Sequence, residues 1–299
     1  MTSPPYWQLR DYGVKGQLGL EPTFSEYIQK LCDVFDEVKR VLKPTGTCWV
    51  NMGDTYASSG MHNCNVNLRW HGKKYKTDKQ TKADETRPAR PKMTIPQKSL
   101  VLIPFRFAIE MVNRAWILRN VIVWHKPNGM PCSARDRFTI DFEYLFLFTK
   151  SQRYFFARQF EPHHESTKER VATFTRNRET FNPSRHKHQN PGAQAPFEVL
   201  RSIATRGLDP LGRNKRCVWT IPTQPFRGAH FATFPEKLCE TPILAGCSIG
   251  EIVLDPFCGT GTTGLVASRL NRRFVGIELN PEYVRLAQKR LASAKTTKV

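Results

Sequence analysis

A glycine-rich turn near the end of the chain has the residue types and spacing best suited to chemistry. Residues 255–264 read Asp-Pro-Phe-Cys-Gly-Thr-Gly-Thr-Thr-Gly, after an apolar run at 252–254 and before a helical spacing at 265–270. This order predicts a strand, a tight turn and a helix, and the glycines let the backbone approach a ligand closely. A second apolar run at 274–277 ends in Glu278, a carboxylate that can accept hydrogen bonds from ribose hydroxyls. The pattern therefore predicts a nucleotide-binding α/β unit.

The side chains of this turn distinguish between ligands. A phosphate-binding loop would place Gly-Lys-Ser/Thr at the start of the helix, and the chain has no such residues there. Asp255 ends the first strand and Phe257 follows it, so we expect a carboxylate and an aromatic ring to face the ligand. A carboxylate repels pyrophosphate but attracts the ammonium and sulfonium groups of S-adenosylmethionine. We predict that cofactor; the alternative is a turn that only closes an α/β crossover.

A second motif opens the chain, which begins Met-Thr-Ser-Pro-Pro-Tyr-Trp. The two prolines remove two backbone donors and fix φ, so this segment presents carbonyls and side chains instead of joining a ladder. On its own, such a motif would be interpreted as a proline-rich tail. A functional role for this segment therefore depends on its combination with a second motif in the chain.

Composition limits the class of protein. The formal net charge of +20 favours a polyanionic partner, with nucleic acid ahead of an anionic membrane. Neither a membrane-spanning apolar run nor a signal peptide is evident. The 8 cysteines form no Cys-x-x-Cys pair, and the histidines at 163–164 and 186–188 lack partners at ligand spacing, so we predict no metal. This cysteine usage predicts a reducing, cytoplasmic setting.

Predicted elements alternate with basic segments. Helical spacing predicts helices over 23–42 and 99–115, and apolar runs predict strands over 47–52, 116–126 and 141–150. The short connection between the last two strands predicts an antiparallel edge pair.

Two long segments, 58–92 and 151–216, lack this periodicity and are rich in basic residues. Aromatic residues lie among the lysines of the first segment, which favours contact with phosphates and bases over a merely solvated loop. The second segment is rich in Arg, Asn and Gln, whose side chains can pair with base edges. The candidate nucleic-acid contacts are Lys73, Lys74, Arg176, Arg178, Arg185 and Lys187.

Together the two motifs resemble those of the DNA amino-methyltransferases, which methylate the exocyclic nitrogen of cytosine or adenine. Residues 3–6 (Ser-Pro-Pro-Tyr) are similar to the catalytic tetrapeptide of that family, and residues 255–261 to its cofactor turn. Their order is that of the circularly arranged beta group. The resemblance implies an α/β, Rossmann-like core with a mostly parallel sheet. It also implies a catalytic half at 1–150, an inserted target-recognition region at 151–216 and a cofactor-binding half at 217–299.

The resemblance implies a role for each matching residue. The catalytic residues would be Ser3, Pro4, Pro5 and Tyr6. The S-adenosylmethionine site would comprise Asp255, Phe257, Gly259, Gly261, Thr262, Glu278 and Asn280, with His230, Phe231, Phe234 and Pro235 from a methionine-binding segment. The base pocket would include Trp7, Trp124 and Lys126.

The residue chemistry agrees with these roles. The exocyclic amine of cytosine is a poor nucleophile, because its lone pair is delocalised into the ring. Hydrogen bonds from its two N–H groups to Ser3 Oγ and to the carbonyl of Pro4 would draw the nitrogen towards tetrahedral geometry. Tyr6, with Trp7, would stack on a base extruded from the duplex. Serine at the first position of the tetrapeptide points, by resemblance, to cytosine, and adenine remains open.

The chain departs from the family's pattern at its start. A strand normally precedes the catalytic tetrapeptide, but here two residues precede Ser3, and one helix follows Glu278. We therefore expect missing N-terminal strands and either a truncated chain or a loosely supported catalytic loop.

Other functions fit parts of the sequence. Residues 131–132 (Pro-Cys) would suit methylation of cytosine carbon, but that enzyme class places the dipeptide after the cofactor turn. Methylation of RNA or of a protein glutamine would usually begin the tetrapeptide with asparagine. A DNA-binding remnant without activity is the alternative from another class. The expected partner is double-stranded DNA; the sequence leaves open a cognate restriction endonuclease, the oligomeric state and a cellular or phage origin.

Overall fold

The computed structural model describes residues 1–57, 69–70, 73–74, 94–176, 202–203, 206–224 and 234–296. Contacts divide the chain into two compact units, the first made of Met1–Ala157 with Cys217–Val299 and the second of Arg158–Arg216. The boundaries at 150 and 216 that we predicted for a recognition region, and the role of that region, stay predictions.

The helices and strands follow one another through both units. The helices are α1 (Phe24–Val41), α2 (Ile103–Asn113), α3 (Glu165–Arg176), α4 (Glu236–Gly246), α5 (Thr262–Arg269) and α6 (Pro281–Thr296). The strands are β1 (Thr47–Met52), β2 (Arg69–Trp70), β3 (Lys73–Lys74), β4 (Ile117–His125), β5 (Phe142–Thr149), β6 (Phe160–Glu161), β7 (Arg213–Asn214), β8 (Val218–Thr220), β9 (Ile252–Asp255) and β10 (Arg273–Gly276).

The main sheet of the first unit has the strand order β1-β5-β4-β8. The pairs β1–β5 and β5–β4 are antiparallel and β4–β8 is parallel, while β9 and β10 form a separate parallel pair. The predicted α/β class is confirmed, with mixed strand directions. The predicted antiparallel pairing of β4 with β5 is also confirmed. Its predicted edge position is wrong, because β1 covers β5 and the short strand β8 covers the end of β4.

The first residues of the chain lie between the two sheets. The backbone N–H of Thr2 donates to Trp49 O at 3.0 Å, and the N–H of Asn51 donates to Thr2 O at 2.9 Å, a parallel bridge to β1. On the other side, the amino group of Met1 donates to Leu254 O of β9 at 3.3 Å. The start of the chain thus joins β1 to the strand that precedes the glycine turn.

Strand β5 carries the core on both of its faces. Phe146 and Phe148 pack in a cluster with α1 and α2, whereas Leu145 and Leu147 pack in a second cluster with α4 and α5. Because successive side chains of a strand point to opposite faces, this continuous apolar run is typical of a strand that is covered on both sides. The result is a three-layer arrangement, with helices on each side of the sheet.

Local signals explain where the helices begin. Thr23 caps α1 by accepting the N–H of Glu26 at 3.1 Å. The helix predicted from residue 99 begins only at Ile103, because the carboxylate of Asp54 accepts the N–H groups of Leu102 and Ile103 there. No helix within the described residues has the length and apolar character needed to cross a membrane.

The second unit contains α3 and the two-stranded ladder of β6 with β7. Glu161 accepts charged hydrogen bonds from Arg213 at 2.9 Å and from Arg216 at 2.6 Å. These ion pairs join the beginning of the second unit to its end.

Candidate active site

A cavity of about 640 Å³ in the first unit is lined by residues from both sequence motifs. Its lining includes these residues predicted from the sequence: Ser3, Pro4, Pro5, Tyr6, Trp124, Lys126, Phe234, Phe257, Gly259, Thr262, Glu278 and Asn280. The two motifs lie at opposite ends of the chain, so the fold brings them together.

At one end of the cavity, the glycine turn holds a carboxylate in place. The N–H groups of Gly259 and Asn280 donate to the two oxygens of Glu278, each at 2.8 Å. Each carboxylate oxygen keeps a further lone pair for a ligand. Gly259 adopts φ +49° and Gly261 φ +78°, and a Cβ on Gly261 would lie 3.0 Å from Ala287 of α6. Gly261 is buried and serves the packing of α6.

Asp255 does not face the ligand space, contrary to our prediction. Its side chain is 1% exposed and lies beneath the turn. Oδ1 accepts from Thr2 Oγ1 at 2.5 Å and from the N–H of Phe257 at 3.1 Å, and Oδ2 accepts from Thr263 Oγ1 at 2.6 Å. Burial raises the pKa of Asp255, against the opposing effect of these hydrogen bonds. The carboxylate ties together the start of the chain, the turn and α5.

At the other end of the cavity, the tetrapeptide meets a residue that sequence reasoning missed. The Tyr6 hydroxyl donates to Glu143 Oε2 at 2.7 Å. The same oxygen accepts Asn51 Nδ2 at 3.1 Å, and Lys126 Nζ donates to Oε1 at 2.7 Å. Burial, followed by the charge of Glu143, raises the pKa of Tyr6 well above its ordinary value, so the hydroxyl stays protonated and donates.

The aromatic wall of this end comes from β4. Trp124 lines the cavity, is 4% exposed and is fixed by donation from its Nε1 to Ile221 O at 2.8 Å. Lys126 Nζ lies 5.1 Å from the centroid of the Trp124 ring. Such a distance is typical of a cation–π contact, which helps to hold Lys126 in place.

The tetrapeptide that we expected to be loosely supported is held firmly. The Tyr27 hydroxyl donates to Pro5 O at 2.7 Å. Trp7 is a second anchor and not a base-stacking residue, which corrects our prediction. It is 2% exposed, its Nε1 donates to Glu21 O at 2.9 Å, and its ring packs edge-on against Phe24 at 6.0 Å.

The remaining predicted residues divide into three groups. Pro235 is buried, precedes α4 and does not line the cavity. Lys73 and Lys74 form β3, which pairs with β2, and Arg176 ends α3. The following lie outside the described residues: Arg178, Arg185, Lys187, His230 and Phe231. Within the described part of the chain, no cluster of side chains is arranged to hold a metal ion.

Glu143 and Asn51 have a signal in the sequence. Each is a polar residue that interrupts the apolar run of a predicted strand, at 141–150 and 47–52. Glu143 also pairs with Trp124 across the β4–β5 ladder, next to a predicted pocket residue. A buried polar residue at such a place indicates either a structural network or a site.

Comparison with known proteins identifies the family of this chain. A family model described as DNA methylase, the N6 and N4 methylases, matches residues 1–289. The chain belongs to this DNA methylase family. The resemblance to S-adenosylmethionine-dependent DNA amino-methyltransferases is therefore confirmed.

Relatives of this methylase cover almost all of its length. The type II methyltransferase M.Cfr9I of Citrobacter freundii is 40% identical over 99% of this chain and 81% of its own. M.XycI of Xanthomonas campestris pv. cyanopsidis is 41% identical over 97% of this chain and 80% of its own.

Solved structures share the fold of this methylase. The putative DNA modification methylase TTHA0409 of Thermus thermophilus, complexed with S-adenosyl-L-methionine, is 22% identical, with a TM-score of 0.54 over 98% of this chain and 84% of its own. The PvuII DNA methyltransferase, described as cytosine-N4-specific, is 20% identical, with a TM-score of 0.56 over 97% of this chain and 77% of its own.

Proposed function

We propose that this DNA methylase transfers the methyl group of S-adenosylmethionine to the exocyclic N4 amine of cytosine at a specific site in double-stranded DNA. The observation that carries the proposal is the cavity, which Ser3, Tyr6 and Glu278 line together. Serine at the first position of the tetrapeptide supports cytosine, and the description of PvuII as cytosine-N4-specific agrees with it.

The cofactor end of the cavity has a chemistry that fits S-adenosylmethionine. Glu278 offers free lone pairs for ribose hydroxyls, and the apolar side chains of Phe257, Ile277 and Leu279 offer surfaces for an adenine ring. Phe234 also lines the cavity. When bound, the cofactor supplies an electrophilic methyl group on a positively charged sulfur. Asp255 contributes by holding the turn, not by contacting the cofactor.

The base end of the cavity suits an extruded pyrimidine. Ser3 Oγ and the carbonyl of Pro4 accept the two N–H groups of the amine and localise the nitrogen lone pair. Trp124 and the ring of Tyr6 provide aromatic surface, and extrusion of the base from the duplex gives it access to the cavity. Tyr6 is held from its hydroxyl end, which fixes the plane of its ring before DNA binds.

The formal charge of +20 supports binding to the DNA backbone, with an affinity that falls as salt concentration rises. The candidate DNA contacts in 58–92 and in Arg158–Arg216 remain part of the proposal. The bacterial origin of M.Cfr9I and M.XycI supports a prokaryotic or phage-encoded protein that acts in the cytoplasm.

The test is methyl transfer from labelled S-adenosylmethionine to unmethylated plasmid DNA, followed by analysis of the nucleosides. Label in N4-methylcytosine supports the proposal, and its loss in Ser3→Ala supports the role of Ser3. The matched control is Ser25→Ala, which truncates an exposed serine on α1 and should keep full activity. Label in N6-methyladenine would overturn the target base. DNA binding without any transfer would favour the DNA-binding remnant.

A further inference from the structure

Glu143 gathers three donors at the base end of the cavity. Oε2 accepts the Tyr6 hydroxyl at 2.7 Å and Asn51 Nδ2 at 3.1 Å, and Oε1 accepts Lys126 Nζ at 2.7 Å. The side chains of Lys126 and Glu143 are 19% and 18% exposed, so this ion pair is largely shielded from water. One carboxylate thus connects the tetrapeptide with β1 and with the end of β4.

The contact with Glu143 decides which way the Asn51 amide points. Its Nδ2 has two hydrogens, and both are engaged, one with Glu143 Oε2 and the other with Tyr144 O at 3.1 Å. Asn51 is 1% exposed, yet it lines the cavity. Its Oδ1 is therefore the atom left to accept, and the Tyr6 hydroxyl lies 3.4 Å from it. Through this contact, Glu143 orients the Asn51 amide so that its acceptor atom Oδ1, and not its donor atom Nδ2, is available on this wall of the cavity.

The charge of Glu143 also offsets that of Lys126. Methyl transfer moves the positive charge of the sulfonium onto the attacking nitrogen. An unpaired ammonium of Lys126 beside that nitrogen would oppose this movement in a shielded cavity. Among the described residues that line the cavity, the carboxylates are Glu143 at the base end and Glu278 at the cofactor end. Glu143 is therefore the carboxylate at the base end of the cavity that can balance Lys126.

We propose that Glu143 is a positioning residue for methyl transfer. It fixes the Tyr6 ring and the Asn51 amide, and it neutralises Lys126. The proposal rests on the proposed function and deepens it. In the step itself, the nitrogen lone pair forms the bond to the methyl carbon, and the electron pair of the C–S bond returns to sulfur. The methylated nitrogen then releases a proton to water.

The test is a double-mutant cycle with Glu143→Gln and Lys126→Met, measured as kcat and KM on plasmid DNA. Glutamine keeps the size and one acceptor of the side chain but leaves Lys126 without its counter-charge. We expect kcat of Glu143→Gln to fall about 100-fold, with the KM for S-adenosylmethionine unchanged. We express kcat of each variant relative to the wild type. The relative kcat of the double variant should exceed the product of the two single-variant values by at least about tenfold, because Lys126→Met removes the charge that Glu143→Gln leaves unpaired.

Several outcomes separate this role from a structural one. The control Glu37→Gln removes an exposed carboxylate from an ion pair with Arg40 and should leave kcat unchanged. Wild-type kcat in Glu143→Gln, or strictly multiplicative effects in the double variant, would overturn the proposal. So would a loss of kcat that follows a lowered Tm. A wild-type chain that transfers no methyl group would instead overturn the proposed function, and this role with it.

Discussion

The Thr2 hydroxyl donates a 2.5 Å hydrogen bond to Oδ1 of Asp255, across 253 residues of sequence. The tetrapeptide begins one residue after Thr2, and the turn begins directly after Asp255. Both motifs therefore start from neighbouring positions, where the first residues of the chain meet β9, and they line one cavity. This contact sets the distance between the two motifs.

Two substitutions of Asp255 should distinguish the contribution of its hydrogen bonds to stability from that of its charge. In Asp255→Ala, Thr2 and Thr263 lose their buried acceptor, and we expect the free energy of unfolding to fall by about 3 kcal/mol. In Asp255→Asn, the amide can accept from Thr2 and donate to Thr263, so stability at pH 7 should match or exceed that of the wild type. Urea unfolding measures both. An alanine variant as stable as the wild type would contradict this account.

The same carboxylate predicts a pH dependence of stability. Burial raises the pKa of Asp255 in the folded chain above its unfolded value, so the folded state binds this proton more tightly. The contribution of this group to the free energy of unfolding is greatest below the ordinary pKa of an aspartate. It is lost as pH rises through the raised pKa. The free energy of unfolding of the wild type minus that of Asp255→Asn should therefore decrease as pH rises through the raised pKa. If this difference stayed constant or increased with pH, the raised pKa of Asp255 would be wrong.

Glu278 should matter for cofactor affinity more than for turnover. Glu278→Ala removes the acceptor that we propose for the ribose hydroxyls and leaves the N–H groups of Gly259 and Asn280 without their partner. We expect a loss of about 2 kcal/mol, which raises the Kd for S-adenosylmethionine about 30-fold. Isothermal titration calorimetry measures this change. Glu282→Ala, on the exposed side of α6, is the control and should bind as the wild type does.

Trp7 should contribute to stability and not to base recognition. Trp7→Ala opens a cavity in the core and is expected to lower the free energy of unfolding by about 3–5 kcal/mol. Trp7→Phe fills most of that space and loses the hydrogen bond to Glu21, so its effect should be smaller. Chemical denaturation gives both values. If Trp7→Ala kept wild-type stability and only raised the KM for DNA, Trp7 would be a base-stacking residue after all.

Cys258 should be a slow-reacting thiol although it lines the cavity. Burial, with the nearby carboxylates of Asp255 and Glu278, raises the pKa of Cys258 to about 12. Since the thiolate is the reactive form, labelling by iodoacetamide at pH 8 should be slow and should accelerate as pH rises. The exposed thiols of Cys132 and Cys217 are internal references in the same sample. Mass spectrometry follows each site. Labelling of Cys258 as fast as that of Cys132 would contradict the shifted pKa.

Much of the fold followed from periodicity and turn residues. The apolar run of β5 predicted a strand, and the glycine spacing after Asp255 predicted the strand, turn and helix at 252–269. The strand order β1-β5-β4-β8 did not follow, because ladder partners depend on contacts between distant segments. The start of α2 was missed for the same reason, since its cap, Asp54, lies far upstream.

The site was predicted as residue types but not as orientations. We predicted that Asp255 faces the ligand and that Trp7 stacks on the base, because each lies in or next to a motif. Both side chains turn inwards, where Asp255 satisfies two buried hydroxyls and Trp7 fills the core. Adjacency in sequence does not reveal which side of a turn a side chain takes. Glu143 was missed because its three partners come from three separate segments.

The bond between Thr2 and Asp255 also bears on when the enzyme becomes competent during its synthesis. At about 5–20 residues per second, a ribosome takes about 13–50 s to add the residues that separate the two. Through that interval the tetrapeptide has β1 and α1 beside it but lacks the wall that carries the cofactor. Contacts of such high sequence separation form late and close large loops. A nascent chain should therefore gain its methylating activity abruptly, once Asp255 and the glycine turn have been added.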